Sequence, residues 1–229
     1  GAKVSGCVSE ATVENARSDA GYYYTGGIAA TMRQGTVRDC CNKSNVSSGW
    51  ISAGIVCHVE DQGSTVSRCW NEGEIKNGSG IVSLLKGNVQ NCYNTGKVEC
   101  GIVEQANSGS SITFCHNVGD ADSIVSFIDS YATIENCYYL ADSESDSVDG
   151  TTYKTATEFA DGTVLALLIN GRTDSPWDST CKYVTAAGKT LPVFKGQGNA
   201  HQRHGDKLRQ GVGKDHRSTF PVRVGNTCL

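Results

Sequence analysis

The apolar residues of this chain fall into one pattern that is written out several times. Residues 80–94 read GIVSLLKGNVQNCYN, and the frame returns at 53–71, 101–117 and 123–139, with a weaker copy at 27–42. Aligned on the central cysteine, the copies fall at Cys7, Cys40, Cys69, Cys92, Cys115 and Cys137, so the steps are 33, 29, 23, 23 and 22 residues. A repeat of that length marks a solenoid. Each copy carries three apolar anchors separated by turn residues. The first is the isoleucine of a Gly-Ile-Val run, at Ile28, Ile55, Ile81, Ile102 and Ile124. The second lies three residues before the cysteine, at Val4, Val37, Val66, Val89, Ile112 and Ile134, and the third six after it, at Val13, Val46, Ile75, Val98 and Ala121. Three short β-branched strands per repeat, with no 3.6-residue period between them, predict the coils of a parallel β-helix. A leucine-rich repeat of similar length would need a Leu-x-x-Leu-x-Leu frame and a helical return, and the sequence has neither.

The pattern divides the chain. Residues 1–142 are predicted to form about five to six coils. The third anchor fails after Cys137, where Ser143 opens a polar run, so 143–154 reads as a solvated linker; its carboxylates lack the Asp-x-Asp-x-Asp-Gly frame of a calcium loop. Thr155 and Glu158 then have capping-box spacing ahead of Phe159 and an apolar run from Val164 to Ile169, which Asn170 and Gly171 stop. Trp177, Tyr183, Val184, Leu191, Val193 and Phe194 read as short strands around a turn. Residues 155–195 are thus expected to be a small α+β cap that closes the open end of the core. From 196 to 229 the pattern is lost and disorder is expected. The chain opens inside a repeat, so further coils or another domain are expected to precede it in a longer polypeptide.

The spacing differences are concentrated between the third anchor and the next glycine or serine, where the gaps run 14, 8, 5, 3 and 2 residues. Insertions are therefore predicted along one edge, shrinking from first coil to last. The two longest carry Tyr22, Tyr23, Tyr24 and Trp50. Loops on a rigid scaffold often make its contacts, but these rings are equally expected to fold down over the coil wall.

Stacking gives the other columns their meaning, since equivalent residues of successive coils lie about 4.8 Å apart. The cysteines are expected to point inward as reduced thiols. No Cys-x-x-Cys pair occurs, and a linear column cannot surround an ion, so no metal or other cofactor is expected. Two residues on, Asn42, Asn71, Asn94 and Asn117 are predicted to form a structural amide ladder at a tight bend, with Tyr139 replacing the last. Between the two series lie Cys41, Trp70, Tyr93, His116 and Tyr138. Rings stacked on a solenoid exterior make a platform for sugar faces, or simply stabilise one another. Trp70, Tyr93, His116, Tyr138, Tyr22, Tyr23, Tyr24 and Trp50 are the candidate carbohydrate or partner contacts.

Charge and composition narrow the function. Glycine is abundant at 27 while proline numbers 3, as in a turn-rich β protein, and no apolar run approaches the length of a membrane span. Six Lys or Arg against two Asp give residues 196–229 a charge of +4, so the rest of the chain carries −8, which argues against nucleic acid as a partner. No His is followed by Glu, so the His-Glu-x-x-His of a metallopeptidase is missing. A β-helix lyase or glycosidase needs charged residues converging on one wall. Beside the cysteine column only Asp39 and Arg68 would be opposite neighbours, a pair better read as a salt bridge.

Gly80, Ile81 and Val82, then Val89 to Gly96 (VQNCYNTG), then Gly101, Ile102 and Val103 resemble the GLUG-type repeats of large surface proteins of gut bacteria. The resemblance covers roughly residues 1–142, and the segment from Thr155 to Phe194 looks like the region that often follows such repeats. It implies a right-handed parallel β-helix, extracellular or cell-wall associated, sometimes in adhesins and sometimes beside a peptidase module. Ser123 for glycine and Tyr139 for asparagine depart from the pattern. The expectation is a non-catalytic surface module that contacts glycans or a host or cell-surface protein, or acts as a spacer, with a polysaccharide lyase or glycoside hydrolase as the alternative.

Overall fold

The computed structural model describes residues 1–15, 21, 23–121, 123–143, 148, 150–184 and 190–197, those at 180–184 by backbone alone. Tyr22, most of the polar run after Ser143, residues 185–189 and residues 198–229, with Cys228 and the tail expected to be disordered, lie outside the described residues. The architecture is a parallel β-solenoid of about four turns with partial rungs at its ends.

Each turn has four short strands rather than three. The first wall stacks Lys3–Ser5, Thr36–Arg38, Thr65–Ser67, Asn88–Gln90, Ser111–Thr113 and Thr133–Glu135, in a register that aligns Val4, Val37, Val66, Val89, Ile112 and Ile134. The second runs from Val8–Ser9 through Cys41–Asn42, Trp70–Asn71, Tyr93–Asn94 and His116–Asn117 to Cys137–Leu140 and Thr151–Lys154. The third contains Val13–Asn15, Val46–Ala53 and Ile75–Ser79, with Tyr24–Gly26 paired to the far half of Val46–Ala53. The fourth stacks Ala29–Met32, Val56–Val59, Val82–Leu85, Val103–Ala106 and Val125–Ile128.

The extra division comes from a backbone bend that the sequence pattern hides. Asp39, Arg68, Asn91, Phe114 and Asn136, each just before a column cysteine, have φ between 50° and 55°. This left-handed column separates the first wall from the second, and the bend was expected two residues beyond the cysteine instead, at the asparagines. Asn42, Asn71, Asn94 and Asn117 sit in extended strands, fully buried. Their amide ladder is as predicted. Asn42 Nδ2 donates to Asn71 Oδ1 at 2.7 Å, Asn71 to Asn94 at 2.8 Å and Asn94 to Asn117 at 2.9 Å. The second amide hydrogens reach the carbonyls of Ser44, Gly73 and Gly96, so each amide group is satisfied without water.

Cys40, Cys69, Cys92, Cys115 and Cys137 are buried free thiols that point into the main core. Each donates to the carbonyl oxygen two residues back, at 3.1–3.4 Å, and so occupies an acceptor at the bend. Burial pushes the Cys69 and Cys115 thiols up, away from thiolate and from reactivity. The third anchors, Val46, Ile75, Val98 and Ala121, form a separate apolar stack with Val13.

The glycine that opens each repeat is explained by the same ladder. A Cβ on Gly80 would stand 2.4 Å from the Gly101 oxygen and 2.7 Å from Asn94 Cγ, and Gly54 and Gly101 are as crowded. Ser123 belongs to the last Gly-Ile-Val rung of the fourth wall, and among the described residues no further rung of that wall follows to meet its Cβ, which fits the departure from glycine.

The end of the core is closed differently from the expectation. Tyr139, with Ala141, Val148 and Tyr153, packs against the main core where the asparagine ladder stops. The stretch expected to be a linker contains Thr151–Lys154, which adds a strand to the second wall. The α+β unit does not sit over that end. Its helices α1 (Ala156–Asp161) and α2 (Thr163–Ile169), split by Gly162 at φ 96°, and its antiparallel strands Trp177–Val184 and Thr190–Phe194 pack sideways on the second wall. The capping box is present: Thr155 Oγ1 accepts from the Glu158 amide and the Glu158 carboxylate accepts from the Thr155 amide. That amide, then Lys154, holds the Glu158 carboxyl down at about 2.

Candidate functional site

Two groups of aromatic residues were candidates, and the structure treats them differently. On the second wall the rings do stack: Tyr93 and His116 lie 5.1 Å apart and 6° from parallel, and Trp70 and Tyr93 6.0 Å apart at 15°. They are not an open platform. Phe159, Val164, Leu165, Leu168, Trp177, Leu191, Val193 and Phe194 form one apolar cluster with Tyr93 and Tyr138, and Trp70 packs at its margin. Tyr93, His116 and Tyr138 are buried, so the expected sugar contact on this column is corrected: large rings on an outward face require a cover, and the α+β unit is that cover. Polar bonds fasten it. Tyr93 Oη bonds Gln197 Oε1 at 3.1 Å, His116 Nε2 bonds the Pro192 oxygen, and Arg172 lies over the Phe114 ring at 3.5 Å while donating to Asn91 Oδ1 at 3.2 Å. Desolvation drives His116 down to about 3, so the ring is neutral and has no acid–base role at ordinary pH.

The second group lies at a concave corner between the third and fourth walls. Outward side chains normally diverge at a corner, but here they touch. Ser79 Oγ and Ser83 Oγ are 3.1 Å apart across Gly80, Ser83 Oγ bonds the Ser52 oxygen, and Cys57 Sγ lies 3.5 Å from the Ile51 oxygen. Ile51, Ala53, Cys57, Tyr24 and Leu84 form an apolar cluster outside the main core. The register places Cys57, Ser83, Glu104 and Ser126 in one outward column and Thr31, His58, Leu84, Gln105 and Phe127 in the next. The corner is therefore a groove along the solenoid axis, floored by small side chains.

Tyr24 and Trp50 stand at one end of this groove. The second insertion does not protrude as a loop but continues the strand Val46–Ala53; from the first, Tyr24 is in a strand hydrogen-bonded alongside Ile51, and its ring lies 5.2 Å from Trp50, tilted by 57°, and 4.7 Å from His58. Trp50 remains 38% exposed and Tyr23 half-buried, its carbonyl accepting from Ser48 Oγ at 3.4 Å. Burial lowers the His58 pKa, and Glu60, which also pairs with Arg33, lies 3.8 Å from its Nδ1. Glu104 is half-buried along the groove. Desolvation and then Glu99 raise its carboxyl against the lowering effect of the nearby Ser83 hydroxyl, and its Oε2 is shielded from solvent with no hydrogen-bond partner among the described residues.

His58 and Glu104 were missed as site residues. The signal for Glu104 was present, because the residue after Gly-Ile-Val is Cys57 and Ser83 in the preceding copies and Ser126 in the next, all small and uncharged. Asp39 and Arg68 form the ion pair that their spacing suggested. A cavity of about 650 Å³ beside Ile128, Ala132, Ile134 and Val148 is the flank of the coil end. Among the described residues no group of three or more His, Cys, Asp or Glu is placed to hold a metal ion, and no helix is long and apolar enough to cross a membrane. No family model, curated protein or solved structure matches the chain.

Proposed function

We propose that this chain is a non-catalytic extracellular β-solenoid module of a bacterial cell-surface protein, and that its concave corner contacts glycans. The observation that carries the reading is Trp50, partly exposed and set against Tyr24, which a strand in the rigid ladder holds in place. Flat rings fixed in advance lose little freedom when a sugar face packs on them. The resemblance of residues 1–142 to GLUG-type repeats supports the surface location. A glycan array probed with the whole chain tests the proposal: binding that Trp50→Ala abolishes and Trp70→Ala leaves unchanged supports it, and no binding to any glycan overturns it.

A second reading, a polysaccharide-cleaving β-helix enzyme, draws on Glu104 beside Glu99, since one carboxyl with a raised pKa near another carboxylate is what acid–base cleavage of a glycosidic bond uses. Release of reducing ends from a polysaccharide, lost in Glu104→Gln, would favour it over the first.

A further inference from the structure

We propose that the concave corner takes an amine-bearing saccharide, with the partly exposed Trp50 ring as the stacking face, Tyr24 tilted at 57° behind it as a brace, and Glu104 as the counter-charge. The inference rests on the glycan-contact reading and narrows its ligand. Neither outward column of the fourth wall, the one from Cys57 to Ser126 or the one from Thr31 to Phe127, includes Lys or Arg. Glu104 therefore has no basic neighbour on its own wall, and Glu99 repels it from the third. Arg33, at the near end, is already paired with Glu60. One Glu104 oxygen is shielded from solvent and the Ser83 hydroxyl lies against the group, but no cation balances the carboxylate among the described residues, and a ligand ammonium reaching its open side supplies that counter-charge.

The spacing suits an oligomer. Glu104 lies two rungs from His58, about 9.6 Å along the groove at the ladder repeat, with Leu84 between them as an apolar step. A sugar packed on Trp50 thus leaves the next units of its chain running over Leu84 toward Glu104. The charge of −8 on the chain before residue 196 opposes a polyuronate in the same groove.

Three probes distinguish the possibilities by calorimetric titration of the whole chain at mildly acidic pH: a glucosamine tetramer, the same tetramer N-acetylated, and a galacturonate tetramer. The expected result is binding of the glucosamine tetramer, weakened about tenfold or more by Glu104→Gln and abolished by Trp50→Ala, with both variants still unfolding in a cooperative thermal transition. Equal or tighter binding of the acetylated tetramer, tighter binding of the galacturonate tetramer, or binding indifferent to Glu104→Gln overturns the amine assignment while leaving the glycan-contact reading in place. No binding by any of the three overturns the amine assignment, and only a blank glycan array overturns the contact reading with it.

Discussion

His116 reaches across 76 residues of sequence to Pro192: its Nε2 and the proline carbonyl oxygen are 3.1 Å apart in the interface between solenoid and cap. A carbonyl can only accept, so Nε2 carries the hydrogen, and the neutral ring is the form the fold prefers. Tyr93, Phe159 and Trp177 enclose it.

That preference makes the cap interface sensitive to acid. The His116 pKa falls from 6.5 to about 3 in the folded chain, so the unfolded chain binds the extra proton. Stability from this residue is complete above pH 6.5 and is lost progressively toward pH 3, amounting to about 2 kcal/mol by pH 5. Denaturant midpoints measured from pH 7 to pH 4 are expected to fall, and His116→Phe to flatten much of that slope while costing about 1 kcal/mol at neutral pH through the lost bond.

The amide ladder gives a second expectation. Asn94 accepts from Asn71, and its own amide donates to Asn117 and Gly96 in a fully buried site. Asn94→Ala is expected to cost about 2–4 kcal/mol in urea unfolding, because several partners lose their bonds without gaining water. Asn71→Ala combined with it is expected to cost less than the sum of the two, as neighbours in one network do.

Glycine is required at the ladder corner only while another rung follows. Gly80→Ala drives a Cβ against the Gly101 oxygen and Asn94, and is expected to lower stability by about 1–3 kcal/mol or more. Ser123→Ala is expected to stay within about 0.5 kcal/mol. Thermal unfolding of the two variants side by side is the measurement.

In the cap, Trp177 is fully buried and its Nε1 has no partner among the described residues. Trp177→Ala is expected to cost about 3–5 kcal/mol. Trp177→Phe keeps a ring and removes the unsatisfied donor, so it is expected to cost less than about 1.5 kcal/mol. A larger loss on Phe, seen by chemical denaturation, would mean the indole N–H is engaged after all.

Thiol labelling checks the cysteine column directly. Cys7 is exposed, whereas Cys40, Cys69, Cys92, Cys115 and Cys137 are buried. Brief alkylation of the native protein followed by peptide mapping is expected to modify Cys7 and spare those five until denaturant is added.

Recurring positions made the fold legible in the sequence. Valine, cysteine and asparagine return in register because each must meet its own kind on the next rung, and one chain displays that requirement several times over. The left-handed bend was hidden, since Asp39, Arg68, Asn91, Phe114 and Asn136 share a conformation but not a side-chain type. The position of the cap was hidden for another reason: its amphipathic pattern shows that it must cover something, and only the three-dimensional register shows that Tyr93, His116 and Tyr138 are what it covers. Of the candidate contact residues, Tyr24 and Trp50 come together at the concave corner, while Glu104 shows in the sequence only as a single charged departure from the small residues at Cys57, Ser83 and Ser126, and His58 follows no repeated pattern.

The lateral seat of the α+β unit has a mechanical consequence. Stacked repeats ordinarily peel away one at a time, since each holds only its neighbours. Here one body grips successive storeys from Trp70 through Tyr93 and Val118 to Tyr138. It acts as a splint, so tension must break the braced block from Trp70 to Tyr138 before any one of those storeys can unwind, while the storeys of Val8 and Cys41 stand outside it.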